Sequence, residues 1–120
     1  MEEDKLVNAA MGIIISAGDA RLHIAEAISA MAENQYELAG EKLKLAQKKM
    51  TEAHGIQTDM IQGEARGESL GYSLLFTHAQ DTLMSIYSEL NLTKQMYKVF
   101  ESFEKRIEDL EKEVSGHGNE

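Results

Sequence analysis

His78 and Asp81, three residues apart with Gln80 between them, are the side chains of this sequence best suited by type and spacing to chemistry. A neutral imidazole nitrogen is an able nucleophile near pH 7. Residues three apart on a helix project from neighbouring parts of one face, so the imidazole and the carboxylate share a surface. His78 falls within the first turns of a predicted helix whether that helix begins at Ser73 or at Thr77, where Thr77 and Gln80 form a capping-box pattern. Unpaired amides and the positive end of the helix dipole favour a phosphate at that end. These are the requirements of a phosphohistidine, although on spacing alone a histidine on a helix face is more often a hydrogen-bonded structural residue. For Gln80 two readings stand: a local hydrogen bond, or help in holding the phosphate.

Three helices have to position these groups. Proline is absent, and the residues able to break a helix collect around Asn34–Gln35 and between Gly63 and Gly71. In the first segment Ile14, Ala17, Arg21, Ile24 and Ile28 recur at spacings of three and four, which predicts a helix over about 3–33. Asn34 with Glu37 resembles a capping box opening a second helix over 35–65, with a seam of Leu43, Ala46, Met50, Ala53, Gln57, Met60 and Glu64. The third helix, about 73–114, carries two apolar faces: Phe76, Ala79, Leu83, Ile86, Leu90 and Tyr97 on one, Leu92, Met96, Val99, Phe103 and Leu110 on the other. A helix packed on two partners needs one such face, so the second predicts self-association. Traced toward the N-terminus, that second face turns polar through Glu89, Ser85, Thr82, Asp81 and His78. Residues 115–120 hold neither an apolar anchor nor a period and are expected to form a flexible C-terminal tail.

The chain of 120 residues is therefore expected to be all-α, a single antiparallel three-helix bundle over 1–114. Hydrophobic residues at 42% and charged residues at 28% fit an ordinary globular chain, and no run approaches the roughly 18 apolar residues of a membrane span. The acidic opening Met1-Glu2-Glu3-Asp4 is unlike a secretory signal, which points to the cytoplasm. The absence of cysteine removes disulfides, thiolate nucleophiles and Cys-based zinc sites. A net charge of -9 would repel nucleic acid.

The run His78-Ala79-Gln80-Asp81-Thr82-Leu83-Met84 resembles the phosphorylation motif of the lactose/cellobiose-specific IIA family of the bacterial sugar phosphotransferase system. Ala17-Gly18-Asp19-Ala20-Arg21, Ala53-His54 with Gln57-Thr58, and Glu64-Ala65 resemble that family in the same order and spacing, so the likeness covers nearly the whole chain up to the tail. It implies a homotrimer with coiled-coil-like helix packing and an active histidine, His78, near a subunit boundary. It implies a relay in which the histidine-containing phosphocarrier protein phosphorylates His78, at Nε2. His78 then passes the phosphoryl group to a cysteine of the cognate IIB, during uptake through the membrane component IIC of a β-linked disaccharide such as cellobiose, chitobiose or lactose. The protein would thus be a phosphotransferase component that neither enters the membrane nor binds nucleic acid. The likeness further implies that Asp81, one per subunit, meets its symmetry mates at the trimer axis and holds a structural divalent cation such as Mg2+. Three carboxylates so gathered repel by several kcal/mol at an effective dielectric of about 20, which a hard cation relieves. Many relatives carry a second histidine four residues after the active one, where this chain has Thr82.

Arg21 either snorkels its charge to water or contacts the phosphate or an acidic partner. His54 reads as structural, His23 and His117 as surface residues, and the seven methionines as core and interface filler. Two other classes compete: a trimeric helical adaptor without chemistry, and a metal-binding helical bundle, the latter weakened by the lack of a Glu-x-x-His pair.

Overall fold

Small residues set the spacing of the first two helices. In the computed structural model, which describes the backbone of residues 2–118 and the side chains of 4–116, α1 (Glu2–Ala32) buries Ala10, Ile13, Ala17, Ala20, Ile24, Ala27 and Met31. α2 (Tyr36–Ala65) answers with Ala39, Leu43, Ala46, Met50 and Ala53. Both rows step by three and four, and alanines at seven-residue intervals let the two backbones approach closely. A Cβ on Gly12 would stand 2.9 Å from Ile56 Cδ1, so glycine there belongs to the same close contact.

The buried row of α1 departs from the expected one by a single position. Ala17 and Ile24 are shared, but Ile14 is half-buried and Arg21 and Ile28 are exposed. The physical reason is that alanines, carrying little hydrophobic signal, occupy the line of closest approach, while the larger Ile14, Arg21 and Ile28 lie along its border.

α3 (Leu74–Gly118) lays Ala79, Leu83, Ile86, Leu90 and the polar Thr93 into the same core, with Phe76 and Tyr97 packed at its ends. Contacts along the bundle give its direction. Tyr97 donates a hydrogen bond to the Tyr36 carbonyl, Lys94 bonds Gln47, and Gln57 reaches Gln80, so α2 runs antiparallel to α3. Arg21 on α1 meets Glu89 on α3 while Lys5 meets Glu68 just before α3, so α1 and α3 run parallel. The molecule is an all-α up-down-up bundle.

Helix ends are made differently from the expected capping boxes. Asn34 adopts a left-handed conformation (φ 62°), its N–H donates to the Met31 carbonyl, and that of Gln35 donates to Ala30. This is a Schellman closure of α1, so Asn34 ends the first helix; α2 begins after Gln35 with no side-chain cap. Gly67 (φ 93°) closes α2 in the same way, through Gly67 to Glu64 and Glu68 to Gly63. At the other end of the chain α3 continues to Gly118, beyond the expected boundary at Val114, because a single Gly116 weakens a helix by only about 1 kcal/mol and no proline stops it. Residues 119 and 120 of the anticipated tail, and the side chain of His117, lie outside the described residues.

Candidate functional site

The start of α3 is defined by Ser73. Its hydroxyl oxygen accepts the Phe76 N–H at 3.1 Å, and its carbonyl accepts both the N–H and the hydroxyl of Thr77 at 3.0 Å. Ser73 is thus the N-cap, and the Thr77–Gln80 box is not formed, since Thr77 bonds backward. His78 is the fifth helical residue. Side chains on a helix lean toward its N-terminus, so the imidazole overlies the first turn, where the positive end of the dipole lies.

His78 and Asp81 are both exposed on the outer surface of α3, and neither side chain has a hydrogen-bond or ion-pair partner among the described residues. A structural histidine is found elsewhere, at His54, whose Nε2 is buried without a hydrogen-bond partner among the described residues. Its ring is half-buried edge-on to Tyr87, with centroids 5.0 Å apart. His23 is more engaged than a plain surface residue: its Nδ1 lies 2.9 Å from Glu26, which also accepts from Lys42 at 3.1 Å. The Lys42 ammonium first, and His23 second, hold the Glu26 carboxyl below its ordinary range.

Gln80 is placed away from His78. Residues two apart on a helix point about 200° from one another, and Gln80 Oε1 accepts a hydrogen bond from Gln57 Nε2 at 3.1 Å across the α2–α3 seam. In the chain Gln80 thus makes a hydrogen bond across helices, and its side chain is engaged with α2.

Arg21 also lies far from His78 of its own chain. Its Nε and Nη2 donate to the two Glu89 carboxylate oxygens at 3.0 and 2.8 Å, a bidentate pair about 16 Å along α3 from His78. The acid it contacts is within the chain, and this pair raises the Arg21 pKa. Composition alone did not single out Glu89; the only signal was its place on the polar stretch of the second face of α3.

For a cation, Asp81 offers the hard oxygen donors that Mg2+ or Ca2+ prefers. One chain brings one carboxylate: among the described residues no three His, Cys, Asp or Glu side chains gather where they could hold a metal. The donor chemistry fits a hard divalent ion only where copies of Asp81 converge.

Below this polar region the same face is apolar and open. Leu92, Met96, Val99, Phe100 and Phe103 are all exposed. Beside them Ile28, Met31, Ala32, Tyr36, Thr93, Met96 and Phe100 line an apolar groove of about 270 Å3 between α1 and α3. Among the described residues no helix is long and apolar enough to cross a membrane.

The chain as a whole resembles known proteins in sequence and in fold. The lactose-specific EIIA component of Lacticaseibacillus casei is 34% identical over 110 residues, covering 92% of this chain and 93% of that protein. The crystal structure of PtcA from S. mutans superposes with a TM-score of 0.82 at 35% identity, over 84% of this chain and 99% of that one. The IIA(Chitobiose) of the Escherichia coli phosphotransferase system, solved in complex with HPr, gives a TM-score of 0.71 at 28% identity, over 82% and 96%. A sequence model of one family, the lactose/cellobiose-specific IIA subunit of the phosphotransferase system, matches residues 8–101. The expected membership thus holds, and the chain belongs to the lactose/cellobiose-specific IIA family.

Proposed function

We propose that this protein is a cytoplasmic phosphocarrier that takes a phosphoryl group from the histidine-containing phosphocarrier protein on His78 and hands it to a cysteine of its cognate IIB. The observation that carries the reading is the exposure of His78 on the first turns of α3, inside the family match. In the first transfer, an imidazole nitrogen of His78, Nε2 by likeness to the family, attacks the phosphorus of the donor's phosphohistidine, and the donor imidazole leaves with the bonding pair. In the second, the IIB thiolate attacks and His78 leaves. Both steps are phosphoryl transfers through an exposed nucleophile, so the chain's task is to hold the imidazole near the dipole's positive end and to keep it clear for two successive partners. The relative solved with HPr supports the donor. The sugar is a β-linked disaccharide such as cellobiose, chitobiose or lactose, phosphorylated during uptake through IIC.

The working form is a homotrimer. Leu92, Met96, Val99 and Phe103 make a stripe too long to leave in water, and only further copies of the chain supply an apolar face of matching length. Parallel packing of three α3 helices on this face brings the Asp81 carboxylates together and sets each His78 beside a neighbouring subunit. A divalent cation, Mg2+ by its fit to oxygen donors, would bind the three carboxylates and serve as a structural cross-link. Thr82, where many relatives have histidine, lies next to that site and offers a hydroxyl.

The test is phosphorylation with phosphoenolpyruvate, enzyme I and the phosphocarrier protein. The wild-type chain gains one acid-labile phosphoryl group, and His78→Ala, still helical, gains none. An unlabelled wild-type chain would leave a helical adaptor without chemistry.

A further inference from the structure

α3 is not the only helix with an apolar row left open. On α1, Val7, Met11 and Ile15 follow one another at intervals of four and stand 44, 44 and 59% exposed. The bond from Arg21 to Glu89 fixes how α1 and α3 lie side by side, and counting back ten residues from that pair puts Met11 level with Ala79, next to His78. His78 is also eleven residues, about three turns, from Glu89, so it lies on the side of α3 that borders α1. Half-buried Ile14 fills the border between them. Leu74, 72% exposed, completes the apolar surround one turn before His78.

The charges of this end are one-sided. Residues 4–34 and 50–93 hold ten carboxylates and three Lys or Arg side chains, and all three are engaged: Lys5 and Arg66 on Glu68, Arg21 on Glu89. Asp81 lies within one turn of the imidazole. A phosphoryl group on His78 would add about 1.5 to 2 further negative charges, and among the described residues of this end no uncommitted cation meets them. In the proposed parallel trimer each neighbour brings the same end, with its three cations equally engaged, and a divalent ion among three Asp81 carboxylates leaves that cluster net negative. Phosphoryl transfer is catalysed mainly by positioning and by positive charge on the moving group, so beyond the helix dipole that charge has to come from the partner. The same excess of carboxylates disfavours a second copy of the chain, or an anionic lipid surface, as the occupant of the α1 row.

We propose that Val7, Met11, Ile15 and Leu74 form the docking face for the phosphoryl donor, and that the donor brings to it an apolar patch edged by the arginine or lysine that this face lacks. The proposal rests on the phosphocarrier reading above and adds to it the surface used and the chemistry of what docks there. Apolar contact holds the donor beside the imidazole. Its cation leaves with the donor when the complex parts, so the phosphoryl group stays on His78 without a fixed counter-charge, ready for the next transfer.

Rapid-quench transfer from the phosphorylated donor to the full-length chain, over a range of chain concentrations, separates docking from the chemical step. Met11→Lys and Ile15→Lys should each raise the half-saturating concentration at least about tenfold and keep the maximal rate within about twofold, because each loses apolar contact and opposes the donor's cation. Met11→Leu should behave as wild type, and so should Leu45→Lys, at an exposed leucine on α2 near the other end of the bundle. Added salt should raise the wild-type half-saturating concentration. Unchanged half-saturation in Met11→Lys and Ile15→Lys, an equal rise in Leu45→Lys, or indifference of the wild type to salt overturns the docking face and leaves the phosphocarrier reading intact. A wild-type chain that accepts no phosphoryl group from the donor overturns both.

Discussion

The two faces of α3 use the same residue types for different ends. On the inner face Ala79, Leu83, Ile86 and Leu90 are wholly buried against α1 and α2 within one chain. On the outer face Leu92, Met96, Val99 and Phe103 are as apolar yet open, and the row begins with His78, Asp81 and Glu89 where the inner row is dry. The inner face explains why the chain folds; the outer face explains what the folded chain is for. A bundle that needed only to be stable would have no cause to carry the second row.

The largest expected effect falls on the inner face. Leu83→Ala removes a fully buried side chain at the junction of all three helices and should cost about 2–5 kcal/mol in chemical denaturation. A loss below 1 kcal/mol would show that the inner face is not the seat of stability. On the outer face the effect should move from folding to association: Leu92→Asp keeps its helical circular dichroism and dissociates to monomers by light scattering. If instead it unfolds, the distinction between the faces fails.

A smaller effect is expected at Asp81. Chelator should lower the melting temperature of the wild-type protein, whereas Asp81→Leu, which in the proposed trimer exchanges gathered charges for an apolar layer, should associate as well or better and ignore chelator. Absence of bound metal in elemental analysis of the wild type, together with indifference to chelator, would exclude a metal role for Asp81.

The smallest lies on neither face, at Glu26. Lys42 and His23 depress its folded pKa below the unfolded value, so its contribution is present above the ordinary carboxylate pKa and is lost as pH falls through the depressed one. Glu26→Gln should lower stability slightly at neutral pH and leave it unchanged in acid below the depressed pKa, which flattens the acid limb; an equal change at all pH values would assign the effect to packing.

How much of this was readable beforehand differs by element. Both faces of α3 and the seam of α2 follow from large apolar residues at helical spacing, and the family motif around His78 was visible in the bare sequence. The α1 seam lies one position from the row of bulky residues because Ala20 and Ala27 contribute to packing by being small, a quality that apolar bulk does not signal. Asparagine at position 34 suits both an N-cap and a left-handed helix terminus, and only the hydrogen bonds of Asn34 and Gln35 separate the two. The partners of Gln80 and Arg21, Gln57 and Glu89, are set by which helices face one another, which spacing along a single helix does not give.

The central claim is that the exposed imidazole of His78, and no other, carries the phosphoryl group. Proton–phosphorus correlation NMR on the phosphorylated full-length chain tests it directly, because phosphorus couples only to ring protons of the imidazole that bears it. The account predicts one phosphohistidine, with couplings from both carbon-bound ring protons of His78 that mark Nε2 as the bonded atom. Correlations to His54 or His23, or phosphate on a residue other than histidine, would contradict it.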